Sequence, residues 1–320
     1  MAVVLYENFR ALFYAPFYAA HAIGAYGAAG VDVALHPSPD PASTAASLGA
    51  GTADVMWGGP LRVLLTHARD PASEVVCFCD VVKRDPFFII GSSPRPDFRF
   101  RDLFGLRFAS VAEVPTPWLC LQDDLRRAGL DPASLSRVSG PSMADNAAAL
   151  RAGTLDAVQL FQPYAEELIA AGAGHLWYAA ASRGPTAYTA LVTRRSVIAA
   201  RRQELLAMVR AMRQTLQWMA STDAAEIARA LRDLFPEVPT ELFAATIARY
   251  QALDLYAADP LMQPAGFERL QAAMRSGGAL AHASGGALTH ASGGALTHDI
   301  AFEDCVDTSL AEEVVSESGL

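Results

Sequence analysis

Aromatic rings and side-chain amides follow several predicted strands, where they could bind a small flat molecule by stacking and hydrogen bonding. The candidates in the first part of the chain are Asn8, Phe9, Phe13, Trp57, Gly58 and Asp80. The candidates in the second part are Glu113, Thr116, Phe161, Gln162, Tyr164 and Tyr188. In open α/β sheets, ligands bind in the crevice outside the carboxyl ends of the strands. The sequence therefore predicts a ligand-binding cleft, with core packing as the alternative for Trp57.

The polar candidates rest on different chemical arguments. Asp80 lies within an apolar strand, where a carboxylate is rarely buried unless it is paired or faces a cleft. Thr116 is predicted to cap a helix that begins at Pro117, and the free N–H groups of such a helix suit a polar or anionic group. Glu113 is either a ligand contact or a solvated loop acid. Gly58, in a Gly-Gly-Pro turn, would let a ligand approach the backbone closely.

Side chains that could hold a metal or a covalent cofactor are few. Cys77 and Cys79 are predicted to share one face of a strand, but no histidine or second pair lies at zinc spacing, which favours buried thiols. Histidines recur at every eighth position within the Ser-Gly-Gly octads of residues 276–299, a composition typical of a flexible linker. Lys83 is the only lysine, so a Schiff-base mechanism would depend on it. No cofactor and no metal are predicted.

The elements that position these residues are organised around a repeated motif. Leu-x-Ala-Gly-Thr-x-Asp occurs at residues 48–54 and again at residues 150–156, each time between a helical run and an apolar strand. The glycine of each copy, Gly51 or Gly153, suits the left-handed conformation that ends helices. Repetition at a period of roughly 100 residues predicts two similar α/β lobes rather than a solenoid of short units.

The pattern along the chain predicts how it divides between the lobes. Lobe one is assigned residues 1–92 and 186–275, and lobe two is assigned residues 93–185. The octads at residues 276–299 form a linker, and residues 300–320 form an acidic C-terminal tail or a docked segment.

Composition excludes several classes of protein. Apolar residues make up 52% of the 320-residue chain and the net charge is −9, which favours large cores and argues against a nucleic-acid partner. No window is apolar for the roughly 18 residues that a membrane span needs. No leader is visible, which predicts a cytoplasmic location as the sequence is written, or a periplasmic one if a leader is missing from the given start. The four cysteines do not resemble a secreted disulfide framework.

These motifs resemble a known fold, the type II periplasmic-binding-protein fold. The resemblance is to the branch of sulfonate-, nitrate- and thiamine-pyrimidine-binding proteins of ABC importers. It rests on Gly30-Val31-Asp32-Val33, both copies of the repeated motif, Ala128-Gly129-Leu130-Asp131-Pro132 and the Gln162-Pro163-Tyr164 turn, and it covers about residues 2–275. The resemblance implies two lobes that close over one small ligand, and an ABC permease as a possible partner.

The sequence differs from this branch at positions that bear on the predicted ligand. Sulfonate binders usually have a Ser/Gly-rich loop where this chain has Glu113, and an acid there suits a neutral or cationic, pyrimidine-like heteroaromatic ring. The branch also contains a fungal enzyme that consumes its own histidine and a lysine-bound pyridoxal phosphate, with iron. At those places this chain has Gly58 and Arg62, so a binding protein is predicted and an enzyme of cofactor metabolism is the alternative. A third option is a cytoplasmic effector-sensing domain.

Overall fold

The computed structural model describes residues 1–38, 41–280 and 300–317. Asp40 and most of the histidine-containing octads lie outside the described residues. The strands are β1 (Val3–Tyr6), β2 (Val33–His36), β3 (Val55–Gly58), β4 (Val75–Val82), β5 (Phe88–Gly91), β6 (Phe108–Ala109), β7 (Arg137–Val138), β8 (Ala157–Leu160), β9 (His175–Ala179) and β10 (Thr189–Arg194).

Helices cover both sheets. They are α1 (Ala15–Ala22), α2 (Ala25–Ala28), α3 (Pro41–Ala50), α4 (Pro60–Arg69), α5 (Thr116–Arg127), α6 (Met143–Arg151), α7 (Tyr164–Ala170), α8 (Arg195–Ala200), α9 (Arg202–Ser221), α10 (Ala224–Leu231), α11 (Thr240–Ala252), α12 (Pro264–Ser276), α13 (Phe302–Cys305) and α14 (Ser309–Ser316). In the described part of the chain, no helix is both long enough and apolar enough to cross a bilayer.

Two five-stranded mixed sheets form the two lobes that the repeated motif predicts. The sheet of lobe one has the order β2-β1-β3-β10-β4, and the sheet of lobe two has the order β7-β6-β8-β5-β9. In each sheet the first three strands are parallel, and the last two continue as antiparallel neighbours. Each fourth strand, β10 or β5, arrives from the other lobe.

The first passage between the lobes lies earlier than the sequence predicts. Strand β5 pairs with β8 and β9, so the chain leaves lobe one at residues 83–87 rather than at residues 92–93. Two apolar strands joined by a short connection carry no local signal for which sheet each one joins, because pairing is decided by distant partners. The second passage spans residues 180–188 and contains the predicted boundary at residues 185–186.

The repeated motif makes the same backbone turn in both lobes. Gly51 and Gly153 have φ values of 75° and 72°, the left-handed conformation that the sequence predicts. The hydroxyl groups of Thr52 and Thr154 each donate to the carbonyl oxygen five residues earlier, at 3.1 and 3.0 Å. These bonds satisfy carbonyls that a helix end would otherwise leave unpaired.

The aspartate of each copy fixes the following strand to its neighbour. Asp54 Oδ2 accepts from the backbone N–H of Val4 at 2.9 Å, and Asp156 Oδ2 accepts from that of Arg107 at 2.8 Å. Each carboxylate is also paired with a guanidinium, Asp54 with Arg201 at 2.7 Å and Asp156 with Arg107 at 2.6 Å. The motif therefore links helix end, strand start and neighbouring strand in one unit.

Strand β4 does not alternate regularly. Its pairing with β10 skips Phe78 and Val81, and each skipped residue changes which side chains lie on a given face. Cys77 therefore packs in the core beneath α4 and α12, whereas Cys79 packs in the core beneath α1 and α9. The prediction that the two thiols share a face is wrong, but both are buried, as predicted. All four cysteines are free and buried.

Helices after β10 and the C-terminal segment cover lobe one and reach lobe two. Helix α12 contacts both α4 of lobe one and α5 of lobe two, and α11 contacts α7 of lobe two. Residues 300–317 are a docked segment: α14 packs on α9, and Arg202 pairs with Glu313 at 2.7 Å. The acidic composition of this segment is thus matched by arginines of lobe one.

Candidate functional site

The cleft between the two sheets lies at the carboxyl ends of β1, β3 and β6, where the sequence predicts it. Both passages between the lobes also border it. Its lining consists of Asn8, Phe9, Phe13, Tyr14, Gly59, Leu61, Arg62, Phe87, Val114, Pro115, Thr116 and Tyr188. The predicted residues that the structure brings together here are Asn8, Phe9, Phe13, Thr116 and Tyr188.

Aromatic rings nearly fill the cleft. The ring of Phe13 lies 6.1 Å from that of Phe9, 6.2 Å from that of Tyr188 and 5.5 Å from that of Phe161, all in edge-to-face geometry. The contact between Phe13 and Phe161 joins lobe one to lobe two. The remaining cavity has a volume of about 40 Å³, room for only a few water molecules. A ligand of ordinary size therefore requires these rings or the lobes to separate.

Two residues that line this apolar site have buried polar atoms without hydrogen-bond partners among the described residues. Asn8 is buried and donates from Nδ2 to the Tyr14 hydroxyl at 3.0 Å, but its Oδ1 accepts no hydrogen bond among the described residues. The Tyr188 hydroxyl, from the second passage, is likewise buried without a partner in the described part of the chain. Buried polar atoms are costly unless hydrogen-bonded, so both atoms are candidates to bind a ligand.

The described lining of the cleft contains one charged side chain. Arg62, in the first turn of α4, is the only charged residue of the described lining. The N-terminal ends of α4 and α5 also border the cleft, at Gly59 and Thr116, and helix N-termini favour negative charge. Burial raises the pKa of Tyr14 and of Tyr188, so both phenols stay protonated hydrogen-bond donors at neutral pH.

Trp57 and Gly58, at the end of β3, do not line this cleft. Trp57 is fully buried and stacks on Phe17 of α1, with ring centroids 4.8 Å apart and planes inclined by 8°. It forms part of the core beneath α1, which is the alternative that the sequence leaves open. Gly59, one residue beyond Gly58, borders the cleft instead, and a Cβ there would lie 3.4 Å from the Tyr188 carbonyl oxygen.

Glu113 is engaged in holding lobe two together. Its Oε1 accepts from the backbone N–H of Met143 at 2.7 Å, at the start of α6, and its Oε2 accepts from that of Ala112 at 3.2 Å. An acid is well placed at a helix N-terminus, whose partial charge is positive. Thr116 is the first residue of α5 and makes no cap hydrogen bond, so the prediction that it caps the helix is wrong.

Phe161, Gln162 and Tyr164 lie beside the cleft, after β8. The Phe161 ring contacts those of Phe87 and Tyr164, at 5.3 and 6.1 Å. Gln162 is fully buried and its amide bonds the start of α7: its Oε1 accepts from the backbone N–H of Glu166 at 2.9 Å. Its role in this structure is therefore to order the turn into α7. Phe161 contacts Phe13, a lining residue of lobe one.

Asp80 faces a different cavity, behind the passages and beside α12. The register shift at Phe78 puts its side chain on the α12 face of the sheet, the same face as Cys77. Asp80 is 5% exposed and does not line the cleft for which the sequence predicts it.

Several lining residues were not predicted as site residues, above all Tyr14, Arg62 and Phe87. Arg62 had a usable signal, since it is a basic residue in the first turn after the Gly-Gly-Pro sequence. Phe87 had no such signal in the sequence. It lies at the cleft because the first passage between the lobes ends at residue 87, five residues before the predicted boundary at residue 92.

Groups for covalent chemistry are not assembled in the cleft. Lys83 lies outside the described lining, and its Nζ pairs with Asp254 Oδ2 at 2.8 Å. Burial raises the pKa of every cysteine thiol, which makes a reactive thiolate unfavourable. Among the described residues, no group of three histidine, cysteine or carboxylate side chains could hold a metal ion.

Comparison with known proteins agrees with this geometry. Residues 91–232 match the model of the NMT1-like family. YtlA of Bacillus subtilis (strain 168), named as a binding protein, is 24% identical over 313 residues, which are 97% of this chain and 89% of YtlA.

Solved structures of sulfonate-binding proteins have the same architecture. The periplasmic sulfonate-binding protein SsuA of Methylobacillus flagellatus has a TM-score of 0.73 and 16% identity, covering 100% of this chain and 95% of that one. The alkanesulfonate-binding protein SsuA of Xanthomonas axonopodis pv. citri, bound to MOPS, has a TM-score of 0.65 and 18% identity, covering 87% and 92%. The resemblance that the sequence motifs predict is confirmed: the chain has the type II periplasmic-binding-protein fold, and these relatives are binding proteins rather than enzymes.

Proposed function

We propose that the protein is the substrate-binding component of an ABC-type import system, and that it closes its two lobes over a small planar ligand. The observation that carries the proposal is the cleft itself. Its lining combines aromatic rings with Asn8 and Tyr188, each of which has a buried polar atom without a hydrogen-bond partner among the described residues. The relatives with this fold that are named as sulfonate-binding proteins support it. A substrate-binding component of an importer acts outside the cytoplasmic membrane. The proposal therefore favours the periplasmic location, the second of the two that the sequence leaves open.

The ligand is proposed to be a heteroaromatic, pyrimidine-like ring that carries an anionic group. Rings such as Phe9 and Phe13 favour a flat apolar body, while Asn8 Oδ1 can accept from a ring N–H or amino group. Arg62 and the two helix N-termini favour a ligand that carries a negative charge. The sequence alone predicted a neutral or cationic ring. Glu113 does not oppose an anion at close range, because its carboxylate binds the start of α6.

Calorimetric titration with three probes tests the ligand class. Orotate is a pyrimidine carboxylate, the thiamine pyrimidine is a neutral ring, and ethanesulfonate is an anion without a ring. We expect orotate to bind tightest, since it alone satisfies both the rings and Arg62. If ethanesulfonate binds more tightly than orotate, the ligand class is an alkanesulfonate and not a heteroaromatic ring. Absence of binding by all three, with no small molecule released from freshly purified protein on denaturation, would contradict a ligand-binding cleft.

Paired variants test which residues form the site. Arg62→Met should weaken orotate binding by about tenfold or more while changing binding of the neutral ring much less. Arg69→Met, at the exposed end of the same helix, is the matched control and should bind like the unaltered protein. Phe161→Ala should also cost about tenfold, because its ring meets Phe13 across the cleft. Equal affinity of Arg62→Met and Arg69→Met for orotate would remove Arg62 from the site.

A further inference from the structure

A second cavity lies on the opposite side of the two passages from the cleft. We call it the hinge cavity; it has a volume of about 220 Å³. Lys83 of the first passage and Ala187 of the second line it, together with the segment of residues 257–263 and the start of α12. The adjacent residue Tyr188 faces the cleft, so successive residues of the second passage contact different cavities. A ligand here would touch both connections between the lobes.

The hinge cavity contains a carboxylate that is built into the sheet. Asp80 is 5% exposed, and its backbone N–H donates to the Pro260 carbonyl oxygen at 2.8 Å, which fixes its position. Its Oδ1 accepts from the backbone N–H of Val81 at 3.1 Å. Its Oδ2 has no hydrogen-bond partner among the described residues. This oxygen is accessible from the cavity that the Asp80 side chain lines. A buried carboxylate oxygen left in this state is strongly favoured to bind a donor.

The other charges around the hinge cavity leave an excess of negative charge. Asp259 also lines it, and its Oδ1 accepts only from the nearby backbone N–H of Leu261 at 3.0 Å. Lys83 lines the cavity too, but its Nζ is 2.8 Å from Asp254 Oδ2, outside the lining. Burial, and then the neighbouring Asp259, raise the pKa of Asp80 to about 7. A bound cation would relieve this unfavourable environment.

The apolar part of the lining indicates what kind of cation fits. Ala187, Leu261 and Met262 offer hydrocarbon surface beside the two carboxylates. No group of three potential metal ligands occurs in the described residues, so the site lacks the donors that a metal ion needs. An ammonium group on a short alkyl chain matches both features, because it donates to carboxylates and buries its methylene groups.

We propose that the hinge cavity is a second binding site that takes a small alkylammonium ion, with its ammonium group donating to Asp80. This site is separate from the cleft, and the proposal does not depend on the ligand that the cleft binds. Because its lining includes both passages, occupancy would also affect how freely the lobes move.

Calorimetric titration with n-butylammonium and with its neutral counterpart butan-1-ol, at about pH 8 where Asp80 is ionised, tests the site. We expect n-butylammonium to bind and butan-1-ol not to bind. Asp80→Asn keeps the shape and the acceptor for Val81 N–H but removes the charge, and should weaken binding by about tenfold or more. Asp97→Asn, at an exposed carboxylate outside the lining, is the control and should have no effect. Unchanged binding in Asp80→Asn, or no binding by the unaltered protein, would overturn the proposal.

A second measurement uses only the unaltered protein, in case Asp80→Asn folds poorly. The charged groups that line the cavity with Asp80 are Lys83 of the first passage and Asp259 from the 257–263 segment. The second passage and α12 contribute uncharged residues to this lining. Near pH 6 the Asp80 carboxyl is largely protonated, and binding a cation should release part of a proton. The binding enthalpy should therefore depend on the ionisation enthalpy of the buffer. If the binding enthalpy does not depend on the buffer, n-butylammonium binds at a site other than Asp80, which would contradict the proposal.

Discussion

The two lobes have the same strand order and the same repeated motif, yet they contribute unequally to the cleft. Of the described lining, lobe one supplies Asn8, three aromatic residues and Arg62, whereas lobe two supplies only residues 114–116. Phe87 and Tyr188 come from the two passages. The C-terminal helix α14 also packs on lobe one, on α9. Under the proposed function, lobe one is therefore the binding platform and lobe two is the smaller surface that closes on it.

Equivalent positions show how this difference arises. Trp57 and Gln159 each stand three residues after the aspartate of the repeated motif, in β3 and β8. Trp57 stacks on Phe17 beneath α1, while Gln159 donates from Nε2 to the Pro117 carbonyl oxygen at the start of α5. The motif thus sets a common scaffold, and the residues that follow it decide what each lobe does.

The largest expected effect concerns these two positions. Trp57→Ala should lower the free energy of unfolding by about 3–5 kcal/mol, because it leaves a large cavity in a fully buried core. Gln159→Ala removes one buried hydrogen bond and less volume, and should cost about 1–2 kcal/mol. Urea denaturation of both variants measures the difference. Equal losses would mean that Trp57 is not the main packing residue of lobe one.

Removing the aspartate of the motif should have similar effects in both lobes. Asp54→Ala and Asp156→Ala each leave a backbone N–H of the neighbouring strand without its acceptor, and we expect each to cost about 1–3 kcal/mol in urea denaturation. A much larger loss in one lobe would show that the arginine partners, rather than the shared backbone bond, dominate.

Acid denaturation sharpens the same comparison for lobe two. Hydrogen bonds from Arg107 lower the pKa of Asp156 to about 2. Because the pKa in the folded state is depressed, this stabilisation is complete above the unfolded-state pKa of 3.8 and is lost as the pH falls through about 2. In Asp156→Ala, the free energy of unfolding should therefore fall less steeply between these two pH values than in the unaltered protein. An identical slope would contradict the role of this carboxylate.

The smallest expected effects are at the paired glycines. Gly51→Ala and Gly153→Ala should each cost about 1 kcal/mol, since a Cβ is unfavourable at positive φ. Gly49→Ala is the control: Gly49 lies within α3, and an added Cβ would meet no atom within 4 Å, so we expect no loss or a small gain in thermal stability. A cost at Gly49 as large as at Gly51 would show that backbone conformation is not the cause.

Local chemistry in the sequence determined the scaffold. The positive φ of Gly51 and Gly153 and the apolar strands after them follow from residue type and short-range order, so the two lobes and their fold were predictable. The position of the cleft followed as well, because ligands of open α/β sheets bind at the carboxyl ends of strands. Asn8, Phe9 and Phe13 were predicted for that reason, and they line the cleft.

Tertiary structure alone decided which side chains meet. Strand β5 joins lobe two because its pairing partners, β8 and β9, come from residues 157–179, and this places Phe87 in the cleft. The register shift at Phe78 in β4 places Asp80 at the hinge cavity. The carboxylate of Glu113 accepts a hydrogen bond from the start of α6. Strand register and contacts between distant segments depend on the packing of the whole chain, which no local pattern of residues specifies.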